Sequence, residues 1–434
     1  MKLSINIWAD LAAQERERLL ERPAVIQDAS IRSDVLSIID CVRSAGDAAL
    51  SELTEKHDGA AISDIRVPDS EIREAFEQLS ESQLAAIDLA IENVRKFHEP
   101  QRPAAIRVET MPGVVCERVS RAIESVGLYV PAGTAPLPSA AIMLAVPAVI
   151  AACSKIILCT PPRRDGLADP SVLVAASRAG VTEIYKVGGA QAIAAMAYGT
   201  ESVPKVCKIF GPGNAWVTSA KSIVSADPEG AAIDMPAGPS EVLVVGDAHA
   251  SAEFVAADLL SQAEHGVDSQ VVFVTDDASL ATAVCEEVTE QLKTLSRAEI
   301  AARALENSRV IVVDELATAI ELSNQYAPEH LILQVEQPRA LLPQIQNAGS
   351  VFLGRWTPES VGDYCSGTNH VLPTYGYARN YSGLGVDQFL RQMTVQELSR
   401  EGLQALGDAV VSLAGLEGLD AHAAAVTRRL ETDA

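Results

Sequence analysis

Positive charge is what this chain has least of: 34 Lys and Arg face 58 Asp and Glu, for a formal net charge of −24. Wrapping a polyanion needs clustered cations that displace condensed counterions, so the balance argues against a nucleic-acid partner. An anionic membrane surface is disfavoured likewise, and a well-solvated surface accounts for the acidity. Any anionic cofactor must then be held by local backbone donors. Seven cysteines, an odd number with no Cys-x-x-Cys among them, supply neither a disulfide framework nor a zinc-thiolate knuckle. The first ten residues reach Asn6 and Asp10 too early for a secretory apolar core. The longest apolar stretch, Ser139 to Cys153, contains Pro147 and falls short of the roughly 20 residues a membrane span requires. No Gly-x-Gly-x-x-Gly fingerprint, P-loop or Gly-x-Ser-x-Gly elbow occurs, nor any fixed-period repeat or long Gly/Ser linker. A cytoplasmic location without membrane association is expected.

Aromatic residues are only 4% of a chain that is 48% hydrophobic, an Ala- and Val-rich mixture suited to packed α/β layers. At 434 residues the chain exceeds what one core supports, so two or more domains are expected. Residues 12–97 show apolar positions at helical spacing, as with Leu84, Ile87, Ala90, Ile91 and Val94. From Ser125 the texture changes to short β-branched runs, Val126–Val130, Ile156–Leu158, Glu183–Val187 and Val206–Phe210, alternating with Ala-rich segments. That rhythm predicts a parallel sheet. It resumes after Met235-Pro236-Ala237-Gly238-Pro239 with strands near Glu241–Val245, Gln270–Val274 and Arg309–Val313. From Gln388 onward the spacing reads as helices, with no coherent sheet left for them to join.

Histidine is scarce, and four of the seven lie from His265 onward near acids or amides: His265, His330, His370 and His422. Gln262 and His265 are three apart at the end of a helical pattern that stops at Gly266, so they share one face and suit a borderline cation such as zinc. Taken alone such a pair is more often exposed polar decoration, and zinc needs further ligands. Asp363 lies in a loop bracketed by Gly362 and Gly367, and His422 follows Glu417 near the end of the chain. Glu329 and His330 precede the apolar run Leu331-Ile332-Leu333, where an acid and an imidazole at a strand entrance can divide proton transfers, or form an exposed turn. Gly188-Gly189 and Gly211-Pro212-Gly213 each follow a strand and open a helical segment, offering backbone donors to a pyrophosphate or simple turn chemistry.

Taken together, Lys208 to Ala215, Met235 to Val242, Asp258 to Gly266, Pro328 to His330, Ser366 to Thr374 and Glu417 to His422 resemble the histidinol dehydrogenase family along essentially the whole chain. The resemblance implies a homodimer that uses one zinc per subunit and two NAD, with water, to oxidise L-histidinol through the aldehyde to L-histidine. It implies Gln262, His265, Asp363 and His422 as zinc ligands, the last from the partner's swapped tail, and Glu329 and His330 as bases. Ser240, Glu417 and His370 join the ligands and His330 around substrate, while Tyr129, Gln191 and Asn214 contact NAD. Similar sequences oxidise other small alcohols, such as a sulfonated propanediol. Glu417, a partner for a cationic imidazole, favours histidinol over a sulfonate, which would want Arg or Lys. A zinc hydrolase using Glu329, or a zinc-structured dimer without catalysis, are the readings from other classes.

The expected fold is α/β: two Rossmann-like parallel-sheet domains without the glycine fingerprint, plus helical arms at both ends. Residues 1–25 form the first arm. Residues 26–128 and 241–387 form a discontinuous main domain with the zinc and catalytic residues, 129–240 an inserted domain on the NAD side, and 388–434 a tail swapped in the dimer.

Overall fold

The computed structural model describes residues 3–23, 29–132, 135–235 and 238–432. The expected domain boundary at residues 25 and 26, and Pro236 and Ala237 of the Met235 to Val242 motif, lie outside them. In chain order the strands are β1 (Ile5–Ile7), β2 (Ile106–Met111), β3 (Val114–Ala122), β4 (Ser125–Tyr129), β5 (Lys155–Thr160), β6 (Glu183–Lys186) and β7 (Lys208–Phe210). They continue as β8 (Ala232–Ile233), β9 (Glu241–Gly246), β10 (Gln270–Thr275), β11 (Arg309–Val312), β12 (His330–Gln334), β13 (Ser350–Leu353) and β14 (Leu390–Leu398).

Two sheets are parallel throughout: one of five strands in the order β6-β5-β4-β7-β8, the other of six in the order β1-β11-β10-β9-β12-β13. The expected α/β class is therefore borne out. In each sheet the chain winds outward one way, β4 to β6 and β9 to β11, then returns to the other side of the first strand. Each has a switch point, between β4 and β7 and between β9 and β12. β9 is buried along its whole length, as the run Glu-Val-Leu-Val-Val-Gly requires of a central parallel strand. Val242 and Val244 pack into the core on one face, and Leu243 and Val245 into that on the other. Each such side chain contributes roughly 1.5–3 kcal/mol of burial. The apolar stretch ending at Cys153 forms the buried helix Pro138–Ala151, part of the five-stranded sheet's core.

Three expectations are corrected. Residues 388–434 are not all helical: Leu390–Leu398 is a strand that pairs antiparallel with β3, which also pairs with β2. Its alternating residues lie on a two-sided, solvent-facing ribbon, so no buried face marks the period. The amino-terminal arm contains more than helix, because β1 extends the six-stranded sheet by pairing with β11. Three residues are too short for periodicity to reveal. Finally, the helices over 29–98 do not join the six-stranded sheet: Ala29–Asp58 packs on Gly189–Tyr198 and Ala215–Ala226, and Glu81–His98 on Pro138–Ala151, all around the five-stranded sheet. Their apolar stripes fit any sheet-flanking helix, so only tertiary contact selects the partner. Among the described residues no helix is long and apolar enough to cross a membrane.

Candidate active site and metal centre

The helix Ala252–Ala263 buries Val255, Ala256, Leu259, Leu260 and Ala263, a spacing that leaves Gln262 to emerge, also buried, from its last turn. His265 follows just past the helix end and is exposed. Asp363 lies not in a loop but on the short helix Glu359–Tyr364, started by Pro358 in extended conformation. The same helix delivers Glu359, which the sequence reading missed. Ligand atoms of His265, Glu359 and Asp363 all lie within 4.8 Å of one another. With its amide nitrogen toward Glu359, Gln262 donates to that carboxylate at 2.9 and 3.0 Å, and Ser261 Oγ donates to it at 3.0 Å. The only signal in the sequence for Glu359 is its spacing of four from Asp363, which puts both carboxylates on one helical face.

Glu329 and His330 stand at the amino end of β12, where His330 pairs in register with Val242 of β9. Both are buried. The Glu241 backbone N–H donates to Glu329 Oε2 at 2.8 Å, and His330 Nδ1 donates to the Glu241 carbonyl oxygen at 3.0 Å. That bond fixes the tautomer. His330 Nε2 is left buried without a hydrogen bond, 3.7 Å from Asp363 Oδ1. His370 Nδ1 donates to the Asp363 carbonyl oxygen at 2.9 Å, so this ring too is held by its far side.

The electrostatics follow from burial and crowding. Burial pushes Glu329 up to about 8 and Glu359 likewise to about 8. For His330, burial acts downward, but the carboxylates of Glu329, Asp363 and Glu359 outweigh it and raise the imidazole to about 10. Asp363 feels burial upward, yet His330, His370 and His265 close by leave it below the ordinary carboxylate range. His265 and His370 are lowered, chiefly by desolvation. Crowded buried carboxylates beside neutral imidazoles form a set of oxygen and nitrogen donors that a divalent cation would complete.

Across a cleft lies the carboxyl edge of the five-stranded sheet. Ser240, Glu329 and His370 line the cleft together with Gly211, Gly213 and Lys221. Tyr129 ends β4 at the switch point, and its hydroxyl accepts from Gly189 N–H at 3.0 Å. Gln191 is buried in the first turn of Gly189–Tyr198, and Asn214 caps Ala215–Ala226 by accepting from Trp216 and Val217 N–H at 3.0 and 3.1 Å. Gly211 has φ 125°, and a Cβ there would meet the Tyr129 carbonyl oxygen at 2.1 Å, so only glycine fits. Its loop is pinned by the Lys221–Asp234 ion pair: Lys221 Nζ donates to Gly211 O, and Asp234 accepts from Gly211 N–H, each at 2.8 Å.

Within one chain Gln262, His265, Asp363, Glu329, His330 and His370 come together. His422 and Glu417 do not join them. They lie exposed at the carboxyl terminus, His422 on the helix Asp420–Glu431, and no metal-capable group among the described residues includes His422.

Two wound parallel sheets, with glycine loops at one lip of a cleft and an acid, an imidazole and a cation-ready cluster at the other, define a two-domain α/β enzyme with a nucleotide-type sheet. A model of the histidinol dehydrogenase family matches residues 21–430, and the chain belongs to that family of oxidoreductases. It is 57% identical over 425 residues to the histidinol dehydrogenase of Vibrio parahaemolyticus, covering 98% of each chain. It is 52% identical over 423 residues to that of Yersinia pestis, covering 98% of this chain and 95% of the relative. The crystal structure of histidinol dehydrogenase from Elizabethkingia anophelis superposes with a TM-score of 0.95 at 46% identity, over 99% of this chain and 98% of that one.

Proposed function

We propose that this chain catalyses the zinc-dependent oxidation of L-histidinol through L-histidinal to L-histidine, with two NAD and one water. The observation that carries the reading is His330: Nδ1, 3.6 Å from Glu329 Oε2, is bound to a main-chain carbonyl, and Nε2 is buried and unpartnered beside Asp363. An imidazole so held is built to accept one proton at one place.

Gln262, His265 and Asp363 would hold the metal, joined by His422 of the partner subunit. Its charge would offset the carboxylates that hold His330 protonated and would orient the amino and imidazole nitrogens of the substrate. In the first half, His330 Nε2 takes the carbinol proton as the hydride departs to nicotinamide, leaving the aldehyde. In the second, Glu329 takes a proton from water as it adds to the aldehyde, and the hydrate gives up a second hydride to yield the acid. Ser240 and His370 border the substrate, and Tyr129, Gln191 and Asn214 border NAD along the carboxyl edge of β4 and β7, where open α/β sheets bind nucleotides. Glu417 of the partner subunit accepts from the remaining imidazole N–H of the substrate.

The homodimer is supported by what the tail leaves uncovered: Leu413, Leu416 and Leu419 are exposed at 61, 84 and 39%, beside His422. Seven free cysteines fit a reducing cytoplasm. The test is stoichiometric. Zinc-replete protein given limiting L-histidinol and excess NAD should form about two NADH per substrate. One equivalent would reduce the reading to an alcohol dehydrogenase, and none would remove it. Mixed dimers of Gln262→Ala and His422→Ala chains should recover one intact site if the tail is shared.

A further inference from the structure

We propose that Arg22, in the amino-terminal arm, is a positioning residue for the Glu329/His330 pair and acts through Glu241; this rests on the function proposed above. The Glu241 main chain touches both bases, its N–H on Glu329 Oε2 and its carbonyl on His330 Nδ1. Wherever Glu241 sits, the two bases follow. Its own side chain is buried, at 2% exposure, and faces Arg22 from 219 residues away in sequence.

The contact is bidentate. Arg22 Nε donates to Glu241 Oε1, and Nη2 donates to Oε2 at 2.9 Å. Nη2 also donates to the carbonyl oxygens of Tyr326 at 2.8 Å and Ala327 at 3.3 Å, and the guanidinium lies 4.0 Å over the Tyr326 ring. Ala327 has φ 54°, a left-handed conformation that a residue with a Cβ rarely adopts, and it immediately precedes Pro328-Glu329. One guanidinium therefore ties down the turn that launches Glu329 and the residue that anchors both bases. A third strut closes the arrangement: Tyr375 N–H donates to Glu241 Oε1 at 3.0 Å, and its hydroxyl donates to the Pro23 carbonyl oxygen.

Removing one member of a buried ion pair leaves the other uncompensated. Here the uncompensated carboxylate would stand beside that of Glu329, and its escape toward water would drag the peptide that orients both bases. Lysine carries the charge but has no fork to serve two carboxylate oxygens and two carbonyls together. Arg22 has no counterpart duty in holding metal or NAD, so its loss should register in turnover and not in binding.

The experiment compares wild type, Arg22→Lys, Arg22→Ala and Glu241→Gln as zinc-loaded full-length enzyme. Readouts are zinc per chain, kcat and KM for L-histidinol, recovery with millimolar methylguanidinium, and the 15N shifts of the His330 ring. Expected are a kcat loss of about tenfold to a hundredfold in all three variants with zinc content held and KM changed less than about twofold. Methylguanidinium should restore part of the loss in Arg22→Ala alone, and the His330 ring should lose its single-tautomer signature. Turnover unchanged in Arg22→Lys and Glu241→Gln would overturn the proposal, as would losses that track zinc or folded protein without chemical rescue. If wild type itself forms no NADH from L-histidinol, it is the proposed function that fails; if only the variants behave as wild type, it is this inference.

Discussion

The two parallel sheets are wound alike yet present opposite edges to the cleft. Around β4 and β7 the five-stranded sheet offers its carboxyl edge, where Tyr129, the Gly188-Gly189 turn and the Gly211 loop gather. Around β9 and β12 the six-stranded sheet offers its amino edge, with Glu241 and His330 as the first residues of their strands. Strand ends that lead into helix amino termini suit an anionic cofactor, because free N–H groups converge there. Amino ends instead receive chain from loops, which can bring side chains from distant segments to one point, as with Glu329, Asp363 and Arg22. The same topology thus yields a backbone-lined site at one edge and a side-chain-lined site at the other.

That division can be broken by mutation. The largest effect is expected at the amino edge: His330→Asn should lower kcat for alcohol oxidation by about a hundredfold or more with zinc content and the KM for NAD little changed. A comparable rise in the KM for NAD would erase the distinction between the edges. Glu329→Gln should slow histidinal oxidation more than histidinol oxidation, and equal losses would end the division of labour between the bases.

The pH dependence sharpens the same point. In the proposed mechanism Glu329 must be ionised to take a proton from water, and burial raises it to about 8. Because the raised group holds its proton below that pH, the aldehyde half should be slow in acid, climb as pH rises through about 8, and level off above it. Steady-state kcat with L-histidinal across pH measures this, and a profile flat from about pH 6 to about pH 9 would count against Glu329.

At the carboxyl edge, Gly211→Ala should raise the KM for NAD by about tenfold while zinc binding stays intact, since its Cβ would collide with the Tyr129 carbonyl oxygen. Loss of zinc in that variant would mean the edges are not separable. The smallest effect on the fold is expected from chelation, which should abolish turnover yet lower the melting temperature by only a few degrees, in proportion to the ~2–4 kcal/mol that a ligand well above its Kd adds to the folded state. Unfolding on chelation would make the metal structural.

Much of the cleft was legible from residue type and spacing. Gln262 three before His265 at a helix end, and Glu329-His330 before an apolar run, point to their neighbourhoods because helix and strand periods are local. The parallel strands β4 to β7 and β9 to β11 announce themselves by β-branched runs between Ala-rich helices. Glu359 escaped because a carboxylate on a short helix looks like any exposed acid until Gln262 and Ser261 are seen donating to it. β14 escaped because its pairing with β3 lies far away in sequence and buries neither face. The helices over 29–98 carried clear stripes but no mark of which sheet they cover.

By itself the sequence determined the alternation of strands and helices, the family, and the residue types able to bind a cation and move protons, all properties of local pattern. Tertiary structure alone decided that Arg22 meets Glu241, that Glu241 holds both bases, and that two like-wound sheets face each other by unlike edges. The physical reason is that these relations join segments hundreds of residues apart, and burial together, not sequence spacing, sets their distances and charges.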